Sequence, residues 1–180
     1  MKLMFASDVH GSAYFAEKMK DLYEKEQAQK LILLGDLLYH GPRNALPKEY
    51  DPPKVAAILN DMKNELLCVR GNCDAEVDQM VLEFPIMADY TTIFTENRML
   101  FITHGHIYNN ENLPMLKEND VLIHGHTHLL AIKSMTTYTY VNPGSISIPK
   151  GGNENSYMIL ENNVFTIKNL DMNPIISDTV

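Results

Sequence analysis

The sequence predicts an α/β protein folded as a single domain over residues 1–180. Three observations carry this. Short apolar runs alternate with helical periodicity through the first half of the chain. Short strands separated by turn residues fill the second half. Five of the apolar runs are followed at once by side chains of the metal-ligand type.

The first run, Leu3–Ala6, reads as a strand ending in Ser7-Asp8-Val9-His10-Gly11. Ser12 stands where an N-cap belongs, ahead of a helix to about Ala28 with Phe15, Met19, Leu22 and Tyr23 on one face. Leu31–Leu34 is a second strand, ending in Gly35-Asp36. Four prolines make the 39–53 segment a long loop, of a length that in a compact domain tends to serve function. Pro53 suits the first turn of a helix through Val55, Ile58, Leu59 and Met62. Leu66–Val69 is a third strand, running into Arg70-Gly71-Asn72-Cys73-Asp74.

A short helix over Glu76–Leu82 and the apolar run Phe84–Met87 follow. Thr91–Thr95 and Met99–Ile102 form a hairpin whose second strand ends in Thr103-His104-Gly105-His106. A short helix is expected near Leu113–Lys117, then a strand at Val121–Ile123 that opens into His124-Gly125-His126-Thr127-His128. In extended backbone, His126 and His128 would point to the same side. The remaining strands are Leu129–Met135, Tyr138–Val141, Tyr157–Leu160 and Val164–Leu170.

Composition narrows the function. A net charge of −8 argues against general affinity for a nucleic-acid backbone, so no polynucleotide partner is expected. It leaves room for a phosphorylated substrate at a locally cationic site. Two cysteines, Cys68 and Cys73, do not make a disulfide framework and fit a reducing compartment. The first residues are too short an apolar stretch for a signal-peptide core, and no run approaches a membrane span. The expectation is a cytoplasmic protein with no membrane partner.

The five strand-end segments supply Asp8, His10, Asp36, Asn72, His104, His126 and His128. Ligands gathered at strand carboxyl ends are the general site geometry of α/β sheets. Seven are too many for one tetrahedral zinc. They suit two five- or six-coordinate divalent ions about 3.5–4 Å apart, with Asp36 as the natural bridge. Such a site attracts phosphate and lowers the pKa of a bound water.

In order, Asp8-Val9-His10, Gly35-Asp36, Gly71-Asn72-Cys73-Asp74, His104-Gly105-His106 and Gly125-His126-Thr127-His128 resemble the five-part motif of the calcineurin-like metallophosphoesterases. The small size, Gly41-Pro42-Arg43-Asn44 and the Asn142–Lys150 segment look most like the bacterial YfcE-type phosphodiesterases. The resemblance implies a four-layer αββα sandwich of two mixed sheets. It implies Asp8, His10, Asp36 and His128 on one metal, and Asp36, Asn72, His104 and His126 on the other. It implies manganese as the working ion; the ligand set alone also accepts iron, zinc or cobalt. The expected reaction is hydrolysis of a small phosphodiester by a metal-bridging hydroxide, with phosphomonoester hydrolysis the nearest alternative. A retromer subunit related to the family uses the fold as a protein-binding scaffold, a reading that predicts erosion of the ligand set.

Many relatives carry histidine, the leaving-group acid, where this chain has Cys73. Either Cys73 donates the proton, another group such as His106 or a water does, or the enzyme prefers leaving groups that need no acid. Arg43, in the long loop, is the expected contact to a substrate phosphate, with His40 beside it. The resemblance also suggests a homo-oligomer.

Overall fold

The computed structural model describes residues 1–179. Its strands are β1 (Lys2–Ala6), β2 (Lys30–Leu33), β3 (Leu66–Cys68), β4 (Tyr90–Phe94), β5 (Met99–Thr103), β6 (Val121–Ile123), β7 (Ala131–Ser134), β8 (Thr139–Asn142), β9 (Ser156–Glu161), β10 (Val164–Asn169) and β11 (Pro174–Thr179). The helices are α1 (Ala13–Glu26), α2 (Pro52–Asp61) and the single turn α3 (Glu76–Gln79). A six-stranded sheet has the order β11-β10-β9-β1-β2-β3, and a five-stranded sheet the order β4-β5-β6-β8-β7. Both are mixed, with β1, β2 and β3 parallel in the first and β5, β6 and β8 parallel in the second.

Period-two alternation sorts the core. On β1, Leu3 and Phe5 enter the layer between the sheets while Met4 and Ala6 face the helices. From β2 onward, Ile32 and Leu34 join the first group and Leu31 and Leu33 the second. On β6, Val121 and Ile123 face inward and Leu122 outward. These strands are buried on both faces, so they read as unbroken apolar runs.

The helices start where the sequence places them. Ser12 Oγ accepts from Phe15 N at 3.3 Å to cap α1, and Asp51 caps α2 with Pro52 and Pro53 in its first turn. Both lie against the six-stranded sheet through Met19, Leu22, Val55 and Leu59. The predicted two-sheet sandwich is present.

Three elements differ from expectation. No helix forms at Leu113–Lys117; irregular chain, including Tyr108 and Leu116, covers the outer face of the five-stranded sheet. Five residues containing Pro114 cannot pay the cost of helix nucleation, and Asp120 Oδ2 instead takes Lys117 N at 2.7 Å. The Phe84–Met87 run joins no sheet; Gln79 holds it, accepting from Ile86 N at 2.9 Å and donating to Phe84 O at 2.9 Å. β11 was not anticipated: it is a polar edge strand, paired only with β10 and opening on Pro174, a position an edge tolerates.

Glu26, at the end of α1, is a buried carboxylate that ties β1 and β10 to the helix. Its Oε1 accepts from Tyr157 Oη at 2.7 Å and Lys168 Nζ at 2.8 Å, and Lys2 Nζ lies 3.0 Å from Oε2. Burial pushes its pKa up, but the bonds from Lys168, Tyr157 and Lys2 outweigh burial and hold it below the usual range. A depressed carboxylate stabilises above its unfolded pKa of about 4.3, and loses that contribution as pH falls through the folded value. Glu26→Gln should therefore cost about 1–2 kcal/mol at pH 7, discounted for the partly exposed lysines. Urea titrations of both proteins should show the gap closing below about pH 4.

Candidate metal centre

The site lies where the carboxyl ends of both parallel strand sets meet. Asp8 and His10 follow β1, Asp36 follows β2, and Asn72 follows β3; His104 follows β5, and His126 and His128 follow β6. The strand ends continue side by side, with Asp8 N donating to Gly35 O (3.1 Å), His10 N to Asp36 O (2.9 Å) and Gly125 N to His104 O (2.9 Å).

Five of these seven residues have left-handed backbone: Asp8 (φ 59°), His10 (50°), Asp36 (56°), His126 (65°) and His128 (60°). For residues with a Cβ this costs on the order of 1–2 kcal/mol each, so the surroundings must hold it in place. Asp8 shows how: its carbonyl accepts from Ser145 Oγ at 3.0 Å and Ser147 Oγ at 2.7 Å. The same turns overturn the expectation for His126 and His128. With both out of extended conformation they part, His126 going to His104 and His128 to His10.

Two clusters result, sharing Asp36. In one, His10 Nε2 stands 3.6 Å from Asp8 Oδ1, 3.6 Å from Asp36 Oδ2 and 3.4 Å from His128 Nε2. In the other, His104 Nε2 stands 3.5 Å from Asp36 Oδ2, 3.1 Å from Asn72 Oδ1 and 3.2 Å from His126 Nδ1. Three imidazoles are oriented from behind. The Nδ1 atoms of His10, His104 and His128 meet the carbonyls of Tyr39, Leu34 and Ile148 at 2.8, 2.7 and 2.7 Å. A carbonyl can only accept, so each Nδ1 carries the proton and each Nε2 presents a lone pair to the centre. Lone pairs on His10 and His128 then face each other at 3.4 Å.

Asp8 Oδ1 is buried and has no hydrogen-bond partner among the described residues. Asp8 and Asp36 also present carboxylate oxygens within 4.8 Å of each other. Converging acceptors, an orphaned carboxylate oxygen and paired anions are what a cation resolves, so the residues fit divalent metal.

The glycines of the motif allow the strand ends to approach. A Cβ on Gly71 would sit 2.1 Å from Asp36 Oδ1, and one on Gly35 2.4 Å from Gly71 N. Sequence reasoning passed over Asp74, the buried acid of the same motif. It accepts from Asp36 N (2.8 Å), Leu37 N (2.8 Å) and Gly71 N (2.7 Å), tying the β2 and β3 ends together. Its signal was an acid directly after the Gly71-Asn72-Cys73 ligand segment.

A cavity of about 360 Å³ opens over the centre, lined by His10, Asp36, Asn72, Cys73, His126 and His128, with Arg43 and Lys150 among its other walls. Arg43 reaches the cavity from the long 39–53 loop. The sequence marks Lys150 only as the end of the family-like Asn142–Lys150 segment; the chain folding back through Lys150 N→His128 O (3.1 Å) brings it there. His40 does not line this cavity; its ring packs between Tyr39 and Tyr50, at 4.8 and 5.3 Å. His106 lies behind His104 and His126 and lines a smaller cavity with His124 and Tyr140. Burial pushes its pKa down to about 4. Cys73 N donates to Asp36 Oδ1 at 2.8 Å, and burial followed by the Asp36 charge pushes its thiol up to about 12.

The fold and the centre define a metallophosphoesterase. Residues 1–163 match the calcineurin-like phosphoesterase superfamily domain, and the chain belongs to that family of phosphate-ester hydrolases. It is 51% identical over 177 residues to phosphodiesterase YfcE of Escherichia coli strain K12, covering 98% of this chain and 96% of the relative. A solved structure of the E. coli phosphoesterase YfcE matches with a TM-score of 0.98 at 50% identity, over the whole of both chains. A probable metallophosphoesterase of Bacillus subtilis, YsnB, is 25% identical over 180 residues, covering 95% of this chain and 91% of its own. Vps29 of Entamoeba histolytica, solved with zinc, shares the fold with a TM-score of 0.63 at 21% identity, over 100% and 98% of the two chains.

Proposed function

We propose that the protein hydrolyses a small phosphodiester at two divalent cations. The observation that carries this is the pair of ligand clusters meeting at Asp36 Oδ2. Asp8, His10, Asp36 and His128 would hold one ion; Asp36, Asn72, His104 and His126 would hold the other. Manganese is the ion the family resemblance favours, with iron, zinc or cobalt compatible with the donors. Ions held there would supply a hydroxide nucleophile near neutral pH and positive charge against the phosphoryl oxygens.

The chain's own residues do the rest. The carbonyls of Tyr39, Leu34 and Ile148 fix the imidazole tautomers, so the centre is set before substrate arrives. Arg43 and Lys150 at the cavity walls bring two positive charges to a phosphate entering a chain of net charge −8. Cys73 faces the same cavity and is the side chain placed to pass a proton to the leaving alcohol. Every ligand position is filled, which favours an enzyme over a scaffold. A small ester fits the cavity and the acidic surface better than a polynucleotide does. No helix among the described residues is long and apolar enough to cross a membrane, and we place the enzyme in the cytoplasm.

The test is turnover of bis-p-nitrophenyl phosphate and p-nitrophenyl phosphate by metal-stripped protein, with and without manganese. Diester turnover should appear with the metal and exceed monoester turnover. Metal at about 100 times its Kd should also stabilise the fold by about 2.7 kcal/mol, raising Tm by roughly 5–10 °C. No turnover with manganese, zinc, cobalt or iron, and no change in Tm, would remove the reading.

A further inference from the structure

The thiol of Cys73 does more than line the cavity. Its Sγ, an imidazole nitrogen of His10 and a carboxylate oxygen of Asp36 all lie within 4.8 Å of one another. That spacing suits donors around a single ion, since two atoms bound to one metal at about 2.0–2.3 Å stand no further apart than this. Beside them is the buried Asp8 Oδ1, which no described residue satisfies, 3.6 Å from His10 Nε2. Asn72 Nδ2 approaches Sγ at 3.3 Å. The 41–44 loop closes over it, so that a Cβ on Gly41 would stand 3.3 Å from the sulfur.

We propose that Cys73 is a ligand to the ion held by Asp8, His10, Asp36 and His128 whenever that ion is zinc, cobalt(II) or iron(II), and is left free when it is manganese. The distinction follows from softness: thiolate binds borderline and soft ions strongly, whereas manganese prefers carboxylate, carbonyl and water oxygen. On binding, the metal–sulfur bond forms, the S–H bond breaks, and the proton leaves to solvent. The thiolate occupies a position that substrate or water would otherwise take. The identity of the ion thus decides whether Cys73 is a ligand or a cavity thiol.

This rests on the same cluster being a metal centre, and the two can be told apart in one experiment. Full-length protein is stripped, loaded with cobalt(II) without oxygen, and examined by absorption spectroscopy alongside Cys73→Ser and Cys68→Ala. Visible d–d bands should appear in all three. A near-ultraviolet sulfur-to-cobalt charge-transfer band should appear in wild type and Cys68→Ala and be lost in Cys73→Ser. Competition between zinc and manganese should show the zinc preference of wild type falling at least about tenfold in Cys73→Ser. Cadmium added to wild type provides a readout without any variant, through its own thiolate band. Cobalt bound with d–d bands but no charge-transfer band, or a band that survives in Cys73→Ser, overturns the thiolate proposal alone. Failure of wild type to bind cobalt overturns both.

Discussion

Asp36→Asn is expected to reduce kcat/KM for a diester by more than about 100-fold, a loss above about 2.7 kcal/mol of transition-state stabilisation. The reason is positional. Asp36 Oδ1 accepts from Cys73 N at 2.8 Å, so an amide at this position turns its oxygen toward that donor. Its NH₂ then occupies the place of Oδ2, which lies 3.6 Å from His10 Nε2 and 3.5 Å from His104 Nε2. A donor replaces the one acceptor common to both clusters, and an amide nitrogen does not ligate. Metal analysis should show fewer than two ions per chain. The metal-free variant should be as stable as metal-free wild type or more so, because a carboxylate held within 4.8 Å of Asp8 has been neutralised. Activity within tenfold of wild type with two ions bound would sink the shared-ligand reading.

Asp74→Ala is expected to destabilise the fold by about 3–5 kcal/mol, although Asp74 does not line the cavity over the centre. Removing its carboxyl orphans the buried amides of Asp36, Leu37 and Gly71 together. Each unsatisfied buried donor costs about 1–3 kcal/mol, and three neighbours share some relaxation. For a chain of this length Tm should fall by roughly 8–16 °C in calorimetry. Loss of metal affinity should accompany it, since these amides fix the turn that carries Asp36. Asp74→Asn should fall between the two, its single oxygen serving part of the set. A Tm within about 2 °C of wild type for Asp74→Ala would show that water replaces the carboxylate at no cost.

Glu26 and Asp74 mark where sequence reasoning stops. Both are buried acids satisfied by partners far away in the chain, Glu26 by Lys168 and Tyr157, and Asp74 by Asp36 and Leu37. Nothing local separates Glu26 from the solvated acids around it, and the only signal of Asp74 is its place directly after Gly71-Asn72-Cys73. Lys150 is similar: its place beside the centre depends on a loop returning from β8 to β9. The Leu113–Lys117 helix failed for a local reason, the proline and the short length, that periodicity alone does not register. The edge strand β11 escaped because its burial is slight and its pairing comes wholly from β10.

By itself the sequence determined which side chains of the metal-ligand type the protein carries and that they stand at strand ends. The donor types are properties of single side chains, and buried strands in this fold are unbroken apolar runs whose ends are visible as breaks. Local geometry did not say how these side chains divide; the family resemblance implied the division, and the tertiary structure supplies its physical cause. His126 and His128 are two residues apart, yet left-handed backbone at both sends them to different clusters. That backbone is unfavourable in isolation, and contacts such as Ser145 and Ser147 to Asp8 O hold the site's strained turns. Those contacts exist because two sheets pack face to face and bring residues more than a hundred positions apart within hydrogen-bond reach.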